Sequence, residues 1–104
     1  MATIYSTRFI RGTVDLDSLP SYTVPDGYVA VVRQITAYDG DNILDDYIQL
    51  VHSDGTILAA YNAPAGEAGN WAQEFRIVVE DGASIGWSVQ GTWDVYVGGY
   101  LLAL

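Results

Sequence analysis

The chain has 104 residues and no cysteine, so we expect one modest domain over residues 1–104, without disulfides or thiolate metal sites. Half of the residues are apolar, which argues against disorder, and no apolar run is long enough to insert into a membrane. Thirteen acidic residues against four arginines give a net charge of −9. This charge argues against nucleic-acid binding, because phosphate contacts need clustered cations.

The N-terminal part, residues 1–21, is predicted to be a strand and a loop that could contact a neighbouring subunit. Residues 3–11 alternate loosely in polarity and predict a strand that ends at Gly12. The following polar segment, residues 13–21, is predicted to lay three apolar side chains on the domain, Val14, Leu16 and Leu19. The first residues show no basic segment followed by an apolar one, so we expect no secretion signal.

A long strand over residues 28–38 is the central prediction. The turn before it is Val24-Pro25-Asp26-Gly27, in which proline cannot donate to a sheet and Asp-Gly favours a turn. The residues up to Asp39 are mostly β-branched or aromatic, as in strands. The better core face would carry alternate residues, namely Val29, Val31, Arg33, Ile35 and Ala37. Because Arg33 interrupts that apolar face, we expect it to meet a carboxylate or a neighbouring chain.

The remaining residues predict shorter strands separated by turns. Residues 47–52 and 56–61 flank Ser53-Asp54-Gly55, which is a hairpin signal, and residues 62–70 predict an exposed loop. Alternating strands are predicted at residues 71–79, 83–90 and 92–102, with turns at Asp81-Gly82 and Gly91-Thr92. No segment has helical spacing. Seven or eight strands predict an all-β antiparallel sandwich or barrel, in which the long strand pairs with the last one.

Three polar features of the sequence are candidates for a chemical site. The acidic segment over residues 39–46 offers oxygen ligands for calcium, but its spacing differs from an EF-hand loop, so a solvated acidic turn is favoured and calcium binding stays open. His52 is the single histidine, and it is expected to be a surface polar residue because a triad or metal site needs more partners. No carboxylate pair stands out for catalysis, so we expect no enzyme and no cofactor.

Aromatic and apolar residues are the better candidates for binding. Trp87 and Trp93 lie in alternating segments and are expected in the core or between subunits. Tyr96 and Tyr100 share a predicted strand face, which suits a protein contact or the core of a second sheet equally. The apolar end of the chain is expected to finish the last strand and to touch a neighbour. The interface candidates are therefore Arg33, Trp71, Tyr96, Tyr100 and Leu104.

Three runs of the sequence are similar to a known group of proteins. They are YTVPDGYVAVVRQITAY from Tyr22, VEDGASIGW from Val79 and WDVYVGGYLL from Trp93. They resemble small β-sandwich structural proteins of tailed-bacteriophage virions, of the minor tail or capsid-decoration type. There a V-P-x-G turn opens a strand ending in R-x-I-T, a second turn opens a late strand, and a W-D-V-x-V-x-G-Y strand closes the domain.

The resemblance covers about residues 22–102 and carries over no catalytic residue. It implies a jelly-roll-like sandwich without enzymatic activity, located in the virion, with other virion proteins as partners in a homo-oligomeric assembly. The alternative is a carbohydrate-binding module or adhesin domain, which would bind a host-surface glycan through exposed Trp or Tyr side chains such as Trp71.

Overall fold

The protein is built from antiparallel strands. The computed structural model describes residues 4–40, 45–64 and 66–104, and these residues form eight strands. The strands are β1 (Ile4–Val14), β2 (Tyr22–Thr23), β3 (Tyr28–Asp39), β4 (Asp46–His52), β5 (Ile57–Ala63), β6 (Gly69–Val79), β7 (Ser84–Gln90) and β8 (Trp93–Ala103). No helix in the described ranges is long and apolar enough to cross a membrane.

The strands form two four-stranded sheets, one ordered β1-β8-β3-β6 and the other β2-β7-β4-β5. Strands β1 and β8, β2 and β7, β3 and β6, and β4 and β5 are antiparallel neighbours. The chain is therefore one long hairpin with its tip between β4 and β5, and successive strand pairs fall in alternate sheets. This winding is a double-sheet jelly roll, which confirms the predicted all-β sandwich.

The long third strand lies in the middle of the first sheet, between β8 and β6. Its ladder with β8 runs from Tyr28 opposite Ala103 to Tyr38 opposite Asp94, so the predicted pairing of the long strand with the last strand is confirmed. The predicted turns are confirmed as well. Glycine has positive φ at four of them, namely Gly27, Gly55, Gly82 and Gly91, where other residues would be strained.

The core lies between the two sheets and is lined by alternate residues of the strands. Strands β4, β7 and β8 contribute these buried residues: Ile48, Leu50, Ile85, Trp87, Val89, Trp93, Val95 and Val97. Burying one large apolar side chain contributes about 1.5–3 kcal/mol, so this inter-sheet cluster is the main source of stability. Trp93 also donates from Nε1 to the carbonyl oxygen of Gln90 over 3.1 Å, which satisfies its polar atom.

The predicted faces of β3 are wrong in the first half of the strand. The register shifts between Val32 and Gln34 against both neighbouring strands. Against β8 the extra residue is Arg33 of β3, so a β-bulge lies there, whereas against β6 the extra residue lies in β6, between Glu74 and Ile77. Before the bulge Ala30 and Val32 face the core, and after it Ile35 and Ala37 do, while Val31 is buried outside the inter-sheet cluster. Because a bulge inserts one residue, the period of two fails across it, and Arg33 is exposed rather than on a core face.

The N-terminal segment also differs from the prediction. Strand β1 continues through Gly12 to Val14, because glycine tolerates the φ of 147° found there. Val14 is buried as expected, whereas Leu16 is 73% exposed and Leu19 is 50% exposed, so two of the three apolar side chains do not pack. Strand β1 pairs with β8 of its own chain. A contact of residues 1–21 with a neighbouring subunit stays a prediction.

Candidate functional site

The outer face of the sheet β1-β8-β3-β6 carries all four arginines of the chain, and we call it the arginine face. Arg8 is opposite Gly98 and Arg11 is opposite Tyr96, and directly opposite residues share a sheet face. Arg76 precedes Ile77, which is opposite the core residue Val32. Since neighbouring strand residues point to opposite sides, Arg76 points outward. All four arginines, the bulge residue Arg33 included, are exposed.

One glycine in β8, Gly99, lies directly against the bulge of β3. A Cβ atom on Gly99 would overlap the carbonyl oxygen of Val31 and would lie 3.0 Å from the backbone nitrogen of Arg33. Strand β1 shifts register at the same level, between Arg8 and Ile10. The missing side chain of Gly99 therefore lets β3 bulge against β8, and the bulge presents Arg33 on the outer face.

A shallow cleft of about 400 Å³ lies on this face, and we call it the Arg8–Arg33 cleft. Its lining residues come from three neighbouring strands: Thr7, Arg8, Arg33, Gln34, Tyr96, Gly99 and Tyr100. The ring of Tyr96 lies against Gly98. A Cβ atom added to Gly98 would be only 2.7 Å from Cε1 of Tyr96. The two tyrosine rings are half-buried, so each presents part of its surface to the cleft.

The positive charges of the arginine face are not neutralised within the described part of the chain. Among the described residues His52 lies close to two carboxylates, those of Asp54 and Glu80, and no arginine forms a salt bridge. Two acids, Glu74 and Asp94, lie in the rows of the same face, and Asp94 accepts a hydrogen bond from Thr13 Oγ1 over 3.2 Å. The face is thus net positive on a chain of net charge −9.

The structure brings together three of the five interface candidates. Arg33, Tyr96 and Tyr100 line one cleft, and the tyrosines lie on an outer face rather than in a second core. Leu104 lies beyond the end of β8, 78% exposed, with its N–H donating to the carbonyl oxygen of Gly27 over 2.8 Å. It does not line the cleft.

Trp71 is buried, which corrects the expectation that its ring is exposed for binding. Its side chain is only 5% exposed, and its Nε1 donates to Oε1 of Gln73 over 3.1 Å. Its ring stacks on Tyr61 of the opposite sheet at a centroid distance of 6.0 Å. The ring therefore belongs to the packing between the sheets, because alternation in β6 turns it inward, and it is not presented for sugar stacking.

The sequence reasoning missed Arg8, Arg11 and Arg76 as members of the site. These residues are far apart in the chain, and only the pairing of β1 and β6 into the same sheet as β3 places them on one face. One usable signal was Gly98-Gly99, since glycines inside a strand often mark a bulge or a close backbone approach.

His52 is a partly buried link between two turns rather than a surface polar residue. Its side chain is 10% exposed, its Nε2 lies 2.9 Å from Oε1 of Glu80, and its Nδ1 lies 3.1 Å from Oδ1 of Asp54. Hydrogen bonds from Thr56 lower the pKa of Asp54, with a smaller effect from His52. The pKa of Glu80 is lowered first by its own backbone N–H and then by His52.

The acidic segment over residues 39–46 is only partly described. Asp41, Asn42, Ile43 and Leu44 lie outside the described residues, and the calcium alternative rests on them in part. Asp39 and Asp46 are buried, which corrects the predicted solvated turn at these two positions. Both approach Gly91, where an added Cβ atom would overlap Asp46 and lie 2.8 Å from Oδ2 of Asp39. The described ranges contain no group of three or more His, Cys, Asp or Glu suited to a metal.

Comparison with known proteins adds one structural likeness. No protein-family model and no curated protein matches the chain. The crystal structure of the infectious bursal disease virus VP2 subviral particle is similar over 96% of this chain and 30% of that one, with 13% identity and a TM-score of 0.33. A TM-score this low carries no argument about fold or function. The assignment of a jelly roll therefore rests on the strand order.

Proposed function

We propose that the chain is a non-enzymatic structural subunit of a tailed-phage virion and that it docks on other virion proteins through the arginine face. The observation that supports docking is the shared cleft of Arg33, Tyr96 and Tyr100 on an outer sheet face. Arginine and tyrosine are enriched in protein interfaces and dominate their binding energy. The virion location is supported by the resemblance of residues 22–102 to small virion proteins.

The chemistry of the cleft favours binding over catalysis. Its described lining offers guanidinium, phenol and amide groups, which bind and orient a partner. A general base or nucleophile pair would need a histidine, carboxylate or activated hydroxyl within hydrogen-bond reach. His52, the single histidine, instead contacts Asp54 and Glu80. A structural subunit is therefore the function that the geometry supports best.

Incorporation into particles tests this proposal. A tagged copy of the chain, supplied in a host infected by the parent phage, should copurify with gradient-purified virions. Arg33→Glu should lower its incorporation at least tenfold by reversing a charge in the cleft. The matched control is Ala60→Glu with Asn62→Asp, which adds the same negative charge on exposed positions of the other sheet. Absence of the unmodified chain from virions would refute the proposal.

The glycan-binding alternative requires an aromatic surface, which Trp71 does not supply. The half-buried rings of Tyr96 and Tyr100 are what the cleft offers to a sugar. A glycan array with the unmodified chain and with Tyr100→Ala separates the two functions. Specific binding that disappears with Tyr100→Ala would favour the adhesin, and the absence of any glycan signal favours docking on protein.

A further inference from the structure

We infer that the Arg8–Arg33 cleft binds the carboxylate side chains of an extended acidic segment of a partner protein. This inference rests on the proposed docking role of the arginine face. Its starting point is the charge distribution, because all cationic side chains of a chain with net charge −9 lie on that one face. Although the chain has 13 acidic residues, none of its four arginines forms a salt bridge among the described residues.

The chemistry of the cleft selects a carboxylate. Arg8 and Arg33 each present a planar guanidinium, which can bind a carboxylate through two parallel hydrogen bonds. Tyr96 and Tyr100 add phenolic groups and flat apolar surface beside them. Phosphate polymers suit guanidinium groups too, but the net charge of −9 would repel a polyphosphate such as nucleic acid. A short acidic segment meets the positive face with less of that repulsion.

The spacing of the arginines favours an extended polypeptide. Arg8 and Arg11 are opposite Gly98 and Tyr96, which are two residues apart in β8. Two strand residues span about 7 Å, which is also the distance between alternate side chains of an extended partner. A second shallow cleft of about 540 Å³ contains Arg11 and shares Tyr96 with the first. Acidic residues at every second position would therefore meet successive arginines along the sheet.

Peptide binding tests this inference with defined probes. The full chain is titrated into a fluorescein-labelled (Glu-Thr)5 peptide at 20 mM NaCl, and binding is followed by fluorescence anisotropy. We expect saturable binding that (Gln-Thr)5 does not show. A peptide of the same composition with its five glutamates in one block should bind at least threefold more weakly, because it loses the alternate spacing.

Matched variants place the binding in the cleft. Arg8→Gln with Arg33→Gln should weaken (Glu-Thr)5 binding at least tenfold, and Arg33→Gln alone at least threefold. Arg76→Gln removes the same charge from the same face but from outside the cleft, and it should change binding less than twofold. All three arginines are exposed, so the variants should fold, and their unfolding temperatures are measured to verify this.

Several results would overturn the inference. Equal weakening by Arg33→Gln and Arg76→Gln would show a diffuse charge effect, and no binding would remove the site. Preference for polygalacturonate over the peptide would assign the cleft to acidic sugars. If the chain self-associates in sedimentation experiments and Arg33→Gln abolishes this self-association, the cleft would be assigned to a second copy of the chain. If the chain binds the peptide but is absent from virions, only the proposed function is refuted. If the chain is incorporated into virions but does not bind the peptide, only the inference is refuted.

Discussion

At the scale of single residues, Gly99 shows how one absent side chain shapes the site. Its Cα faces the backbone of β3 so closely that a Cβ atom would overlap the carbonyl oxygen of Val31. Backbone atoms in the middle of a sheet cannot move aside as a flexible side chain can. The bulge that turns Arg33 outward therefore requires glycine at position 99.

Gly99→Ala is expected to destabilise the protein severely. Overpacking typically costs about 1–3 kcal/mol, and because the obstacle here is backbone, we expect the upper end of that range or more. Urea unfolding followed by tryptophan fluorescence measures the change in free energy of unfolding. The same variant should also weaken binding of (Glu-Thr)5, because a displaced bulge moves Arg33.

Gly86→Ala is the matched control for this prediction. Gly86 lies in β7, has no positive φ, and its added Cβ would come no closer than 4.0 Å to Cβ of Ser21. Its effect should stay within about 0.5 kcal/mol, as at other sites without a close contact. Equal stability of the Gly99→Ala and Gly86→Ala variants would contradict the role assigned to Gly99.

At the scale of elements, His52 links the hairpin between β4 and β5 to the turn between β6 and β7. It lies between Asp54 of the hairpin and Glu80 of the turn. The N–H of Ser53 donates to the carbonyl oxygen of Ser84, which adds a backbone bond between the same two regions. The link therefore holds together two turns that are distant in sequence.

This link predicts a dependence of stability on pH. The folded pKa values of Asp54 and Glu80 are lowered, so the stability they contribute is present above their ordinary pKa values near 4 and is lost as the pH falls through the lowered values. We expect urea unfolding to show a larger stability difference between wild type and Glu80→Gln at pH 6 than at pH 3. Both carboxylates are exposed, so the difference will be small.

Asp17→Asn is the control for this prediction, because it removes the same charge from an exposed turn, away from His52 and from the arginine face. It separates loss of the His52 contact from the change in net charge. A stability difference for Glu80→Gln that is the same at pH 6 and pH 3 would show that ionisation of this carboxyl does not contribute to the link.

The elements also show which parts of the fold are predictable from sequence. Alternation between apolar and polar residues predicted β7 and β8 correctly as strands, and their apolar residues are buried at every second position from Ile85 to Val89 and from Trp93 to Val97. Alternation failed in β3, where the bulge depends on Gly99, some 65 residues later in the chain. The interface residues could likewise be predicted only where the signal is local in sequence. Tyr96 and Tyr100 were recognised by local pattern, whereas Arg8 and Arg76 join them only through long-range strand pairing.

At the scale of the whole molecule, the winding of the jelly roll separates the charges. Strands β1, β8, β3 and β6 come from all parts of the chain, and their association brings every arginine to one sheet. The described acids outside that face include Asp15, Asp17, Asp26 and Asp81, which lie in loops and turns. The molecule therefore has one positive face and an otherwise acidic surface.

This separation predicts that salt stabilises the isolated protein. The arginines form no salt bridges in the described ranges, so screening removes little attraction and mainly weakens repulsion among the acids. Thermal unfolding at pH 7 should show a higher Tm at 300 mM than at 10 mM NaCl. A gain of roughly 1 kcal/mol would raise the Tm by about 4–8 °C in a domain of this size.

The same measurement at pH 4 is the control, because the chain is then close to its pI of about 4.1 and the repulsion is small. A Tm that falls with NaCl at pH 7 would mean that attractive pairs dominate, contrary to the separation of charges. Binding of (Glu-Thr)5 should respond to salt in the opposite direction, since it depends on attraction to the arginine face. Salt should therefore strengthen the fold and weaken the complex in the same sample, a combination that a uniformly acidic surface would not produce.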